Sequence, residues 1–177
     1  MTREIVFQSL KNHPKIRSKT LILESNLEDV EGLNFFIKNS SLPILVITDN
    51  KDISFEKIKI ISKAIPGRGF LISNFDEEQN RELKTETPLR VLCFGFQSGA
   101  DFQASDVRDG DDEEMNFKIN YKGNIVPIWL RGVSGRGYIY AVLAGAAVGE
   151  VLGLNLVEIS ETLKDYKDSA MLKNNTL

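Results

Sequence analysis

A chain of 177 residues, 42% apolar and 27% charged, is long enough to bury one hydrophobic core without disulfide or metal staples. Its net charge of −3, with basic residues scattered, leaves no electrostatic footprint for nucleic acid. The one cysteine, Cys93, excludes a disulfide framework and a cysteine-based metal site, and its apolar surroundings predict a buried, inert thiol. No apolar run approaches the roughly 20 residues of a membrane helix, and the N-terminus lacks the apolar stretch of a signal peptide, so a cytoplasmic protein is expected.

In chain order, strand-like runs at Leu21 to Glu24, Ile44 to Thr48, Phe70 to Ser73 and Arg90 to Phe96 alternate with helical segments near Glu28 to Lys38, Ser54 to Ile65 and Asp76 to Leu83. That alternation predicts an α/β fold, a mostly parallel sheet with crossover helices. After Gly99 the texture changes. Phe102 to Val107, Met115 to Tyr121 and Ile125 to Leu130 are strand-like, separated by an acidic loop and by Lys122-Gly123-Asn124, which predicts a small antiparallel β-meander. Two helices close the pattern. The first, Tyr138 to Leu152, carries Ala141, Ala144, Gly145, Ala146, Ala147 and Gly149; a glycine inside an exposed helix costs about 1 kcal/mol, so this helix is expected to be buried. Gly153 supplies a left-handed stop, and Asn155 with Glu158 forms an N-cap and capping box for a second helix with Leu156, Ile159 and Leu163 on one face. Residues 1–19 form an N-terminal lead-in, 20–167 one body, and 168–177 a polar tail.

Several of these segments resemble the central domain of the Mur ligases, the ATP-dependent enzymes of peptidoglycan precursor synthesis. Leu21-Ile-Leu-Glu24 is similar to the family's strand ending in a metal-associated glutamate, and Pro43 to Thr48 to the next strand, which ends in threonine. Gly69 to Asp76 resembles the family's Asn-x-Asp-Asp strand. Val91 to Phe96 with Gly99 to Val107, and the Gly132 to Tyr166 turn, alanine-rich helix and Leu-Gly-Leu corner, complete the match. Within the family, the stretch Ala100 to Val107, the hairpin from Asn116 to Ile128 and the last helix look most like the branch that adds D-alanyl-D-alanine. Relative to that family the chain reads as a partial central domain, with the phosphate loop and a C-terminal domain missing from its flanks.

The resemblance implies ATP and magnesium as cofactors, and a UDP-linked muramoyl peptide and D-alanyl-D-alanine as partners of the complete enzyme. It assigns Glu24 and Lys63 to magnesium, Lys63 standing for a carbamylated lysine, and Asn74, Asp76, Arg136 and Tyr140 to the nucleotide. Each has a plainer reading beside it: Glu24 as a solvated strand-end acid, Lys63 as a helix-end lysine, Asn74 and Asp76 as caps of the following helix, Tyr138 and Tyr140 as core packing. The family's histidine after the threonine of its second strand is absent, and Gly137, Tyr138 and Ala141 replace its His, Asn and Asn. No Gly-x-x-x-x-Gly-Lys-Ser/Thr occurs in the 177 residues, so the backbone cradle for the β and γ phosphates is missing and Ser18-Lys19-Thr20 does not replace it. The isolated chain is therefore expected to lack catalysis. The alternative is a Mur-like module without catalysis, serving assembly or partner binding. His13 reads as a surface residue, the acidic run around Gly110 as a solvated loop, and Ser54, Ser98 and Ser134 lack a histidine partner for hydrolase chemistry.

Overall fold

The structure is a computed structural model that describes residues 20–24, 37, 39–48, 54–109, 114–131 and 135–164, with the side chains of 20–24, 109, 163 and 164 left undescribed. The helix expected over Glu28 to Lys38, the Gly110 loop, His13 and the polar tail lie outside those residues, except that Ile37 is helical and buried.

Seven strands form one sheet in sequential order: β1 (Thr20–Glu24), β2 (Leu42–Ile47), β3 (Phe70–Asn74), β4 (Arg90–Gly95), β5 (Phe102–Asp109), β6 (Glu114–Tyr121) and β7 (Asn124–Arg131). Pairing is parallel from β1 through β5, then antiparallel through β7. The predicted meander is thus present, and it extends the parallel sheet instead of forming a sheet of its own. The join is brief, Phe94↔Phe102 and Gly95↔Gln103, because β5 starts where β4 ends. Beyond the reach of β5, the amide of Cys93 donates to the Asp101 carboxylate (2.7 Å), which takes the place of a strand partner.

Side-chain alternation divides the core in two. Leu45, Ile47 and Leu71 pack beneath helix α1 (Phe55–Ala64) through Ile58, Ile61 and Ile65, joined by Leu83 and Leu89. Ile44, Val46, Ile72, Phe94, Phe102 and the inward residues of β6 and β7 pack under α4 (Arg136–Val151). Crossovers between successive neighbouring strands run on one face when each is right-handed, which leaves the opposite face for α4. That helix carries alanine and glycine where bulk would hold it off: Ala141 to Gly149 are buried without interruption.

The predicted helix over Asp76 to Leu83 forms as two single turns, α2 (Glu78–Arg81) and α3 (Leu83–Glu86). Local bonds explain the break. The amides of Asn80 and Thr85 bond three residues back, and the buried Asn80 side chain donates to the Asn74 carbonyl (3.1 Å), holding the first turn to the end of β3.

The corner between α4 and α5 (Leu156–Lys164) follows its sequence signals closely. Gly153 has φ 89°; its amide bonds the Glu150 carbonyl and the Leu154 amide bonds that of Gly149, the Schellman pattern. Asn155 Oδ1 accepts from the amides of Val157 and Glu158 at 3.0 Å each, while Glu158 Oε2 accepts from the Asn155 amide at 3.0 Å. Asn155→Ala removes both cap acceptors at once and is expected to lower unfolding free energy by about 1 kcal/mol in a urea titration. An unchanged midpoint would show that packing of Leu156 and Ile159 alone holds α5.

Candidate functional site

Parallel strands deliver their carboxyl ends to one rim, the place where open α/β sheets put ligand-binding groups. Glu24 closes β1 opposite Val46, Thr48 follows β2, Asn74 closes β3 and Phe96 follows β4. Asn74 is buried and spans its neighbours: Nδ2 donates to the Thr48 carbonyl (3.1 Å) and Oδ1 accepts from the Asp76 amide (3.0 Å). The Thr48 hydroxyl, on a residue only 5% exposed, is the one buried side-chain polar atom among the described residues without a hydrogen-bond partner.

Asp76 sits at the centre of the rim. Its Oδ2 accepts from the Phe96 amide (2.8 Å) and from the Tyr140 hydroxyl (2.9 Å), and its Oδ1 accepts from the Gln97 amide (3.0 Å). One carboxylate therefore ties the β3 turn, the loop after β4 and the first turn of α4. Gly95 makes this possible, since a Cβ there would stand 2.7 Å from Asp76 Oδ1. Arg81 braces the same loops, donating to the Phe75 carbonyl and to Gln97 Oε1 at 3.0 Å each.

Tyr140 sets its ring edge-on to Phe96 (centroids 5.2 Å) and Phe94 (6.3 Å). Burial, then the bond to the Asp76 carboxylate, pushes its hydroxyl up to about 12, so it stays a neutral donor at ordinary pH. The exposed Arg136 lays its guanidinium 4.5 Å from the Phe96 ring centroid, with no ion pair among the described residues.

The rim thus unites Asn74, Asp76, Arg136 and Tyr140, which the sequence proposed for a nucleotide, and adds Phe96 and Gly95, which it did not. Phe94-Gly95-Phe96 at a strand end belongs to the segment that resembles the family, and only the structure gives it a place in the site. Asp76 does not cap the helix after it: Glu77 is the N-cap of α2, without a side-chain cap bond, and the Asp76 carboxylate is drawn across to the β4 loop. Glu24 lies at the rim by strand register, without a described side chain. Lys63 lies elsewhere. Helix α1 runs back against the strands, and its far end is fixed at the amino edge of the sheet, where Arg68 donates to the carbonyls of Ser40 and Ser41 just before β2. Lys63 is exposed there, at the end of the sheet opposite Glu24. The described residues contain no cluster of three His, Cys, Asp or Glu able to hold a metal.

The mostly parallel sheet that ends in an antiparallel meander matches the fold of Mur ligase structures. A MurF from Acinetobacter baumannii superposes with a TM-score of 0.72 at 15% identity, over 94% of this chain and 43% of that one. A MurF ligase from Thermotoga maritima in complex with ADP gives 0.66 at 16% identity, over 94% and 46%.

In sequence, the chain is similar to UDP-N-acetylmuramate--L-alanine ligases. That of Alkaliphilus metalliredigens is 27% identical over 119 residues, 66% of this chain and 26% of the relative. That of Carboxydothermus hydrogenoformans is 31% identical over 117 residues, 64% and 25%. The chain accordingly spans about a quarter of the length of these relatives. No protein-family model matches it.

Asp76→Ala leaves the Phe96 amide, the Gln97 amide and the Tyr140 hydroxyl without their acceptor and is expected to cost roughly 2–4 kcal/mol in chemical unfolding. Tyr140→Phe tests the same contact through pH. A phenol whose folded value is raised contributes stability in full below the unfolded value near 10, and loses it as pH climbs to about 12. The Phe variant should therefore show a shallower fall in stability between those limits, a residual fall remaining because burial also raises Tyr121. An identical profile would place the Tyr140 bond outside the stability of the fold.

Proposed function

We propose that residues 20–167 are the central-domain body of a Mur-type amide ligase acting in peptidoglycan precursor synthesis, and that the chain by itself does not catalyse. The single observation that carries this reading is the rim of Asn74, Asp76, Phe96, Arg136 and Tyr140 at the carboxyl end of a Mur-like sheet. In a complete enzyme of this kind ATP phosphorylates a substrate carboxylate, and the acyl phosphate is attacked by an incoming amine. Here Arg136 would supply a cation at the nucleotide, Phe96 and Tyr140 an aromatic wall, and Thr48 a hydroxyl in want of a partner. Magnesium would rest on Glu24 with ligands from outside the described residues. Which amine is added is a finer matter. The sequence relatives are L-alanine ligases, whereas the structural neighbours quoted are MurF and the hairpin and last helix favour D-alanyl-D-alanine. We keep D-alanyl-D-alanine addition as the reading for the complete enzyme.

Two observations favour a second reading, a Mur-like module without catalysis that serves assembly or partner binding. Both Asp76 oxygens are consumed inside the protein, and Lys63 is at the wrong end of the sheet for magnesium. Calorimetry with Mg-ADP and Mg-ATP on the purified chain, alongside an assay for ATP-dependent amide formation, separates the cases. Without a phosphate cradle the expected dissociation constant is weaker than about 1 mM, where binding energy is only ~4 kcal/mol, with no turnover above blank. Micromolar affinity lost in Arg136→Ala would overturn the expectation of a phosphate-blind chain and locate the nucleotide at the rim. Amide synthesis by the chain alone would refute its reading as an incomplete ligase.

A further inference from the structure

Away from the rim, no described residue covers the sheet face opposite α4 over the meander, and that face holds a cavity of about 260 Å³ lined by Asp106, Arg108, Asn116, Lys118, Pro127 and Trp129 among others. Three features set it apart from an ordinary solvated sheet face.

First, Trp129 is 49% exposed there, directly opposite Asn116 in the β6–β7 ladder, with Lys118 opposite Pro127 beside it. A half-exposed indole on a rigid strand offers an apolar face with negative π charge at its surface. Second, β5 bulges between Ser105 and Arg108, and Asp106 adopts φ 51°, a left-handed conformation that a non-glycine residue seldom takes. The bulge carries the Asp106 carboxylate to Lys118 Nζ at 2.6 Å, on one wall of the cavity. Lys118, by bond and charge, holds that carboxyl below its ordinary range, so it is an acceptor at neutral pH. Third, the open edge of β7 is closed to a pairing strand. The two-residue turn at Lys122-Gly123 makes Tyr121 and Asn124 the first bonded pair, so Ile125, Pro127, Trp129 and Arg131 turn their backbone groups outward. At the middle of that row Pro127 has no N–H, and its carbonyl already accepts from the Ser160 hydroxyl (3.2 Å).

An occupant must therefore lie on the face instead of joining the edge, which disfavours an extended peptide. It must present an apolar surface to the indole while satisfying donors and acceptors around it. Asp106 accepts, Lys118 and Arg108 donate, and Asn116 does both. Lys118 is already neutralised by Asp106, which leaves Arg108 as the lining's cation without an ion pair among the described residues, a donor for a hydroxyl or an anionic substituent of the occupant. We propose that this cavity is a saccharide subsite: one pyranose ring lays its C–H face on Trp129, and its hydroxyls bond Asp106, Asn116 and Lys118. It stands on the opposite side of the sheet from α4 and does not rest on the nucleotide reading.

Trp129 is the chain's one tryptophan, so its emission reports this cavity alone. Titration of the full chain with N-acetylglucosamine and with glucose is expected to give a saturable blue shift. Asp106→Asn, a residue that tolerates left-handed backbone, should keep the fold by circular dichroism and weaken the sugar roughly tenfold, as loss of a charged hydrogen bond does. Trp129→Ala should abolish sugar heat in calorimetry, with Asp106→Asn as the independent check if the Ala variant fails to fold. Absence of a saturable response to either sugar would overturn the proposal, as would equal affinity in the wild type and Asp106→Asn. A response confined to ATP, or one that follows protein concentration without sugar, would reassign the indole to base stacking or self-association and overturn it too.

Discussion

The Asp76 carboxylate is the constraint around which the carboxyl end of this protein is organised. A parallel sheet ends in loops that have no reason of their own to stay together, because each crossover belongs to a different strand pair. Here the loop after β4 is drawn to the turn after β3 by two backbone amides, and α4 is drawn to both by a phenol. Charge-assisted bonds of this type are about twice as strong as neutral ones. Their strength also depends on approach, which is why Gly95 matters: any side chain would hold the carboxylate away from the amides it neutralises. Asn74 performs the equivalent task one strand earlier, reaching back to the Thr48 carbonyl and forward to the Asp76 amide. The rim is thereby rigid before any ligand arrives.

Much of the architecture was legible in the sequence because its signals are local. Apolar runs gave the strands, and the Gly153, Asn155 and Glu158 spacing gave a corner whose bonds form as the spacing requires. The small residues of Tyr138 to Leu152 foretold a buried helix, since only close approach explains them. What escaped was non-local. That the meander would continue the parallel sheet depends on two register pairs between β4 and β5, which leave no mark in either strand. The segment after Asp76 has helical composition, yet Asn80 reaches back to Asn74 and splits it, a tertiary bond overriding propensity.

The site shows the same division. Strand-end position and residue type were enough to select Asn74, Asp76, Arg136 and Tyr140, and the fold gathers them. They were not enough to say what each would touch. Asp76 was open to reading as a cap or a ligand, and it is tied instead to a loop two elements away. Lys63 is set apart from the rim for a topological reason: a crossover helix between parallel strands runs antiparallel to them, so a residue in its last turn, just before the next strand, stands at the amino edge. The direction of α1, pinned by Arg68 at the amino edge, decides it.

The two halves of the sheet meet solvent differently, and this governs where chemistry can sit. Across β2 to β4 both faces are covered, so functional groups can emerge only where strands stop, and each must be satisfied by its neighbours or by a ligand. Thr48 is the exception left open there. In the antiparallel half no described residue covers one face, and a residue two positions along a strand is enough to build a surface. A tryptophan kept on that face is not needed by the core, which Phe117, Ile128 and Leu130 already fill from the other side. Together with a left-handed aspartate at a bulge, it is a feature that packing alone does not require, so its explanation has to come from what the face meets.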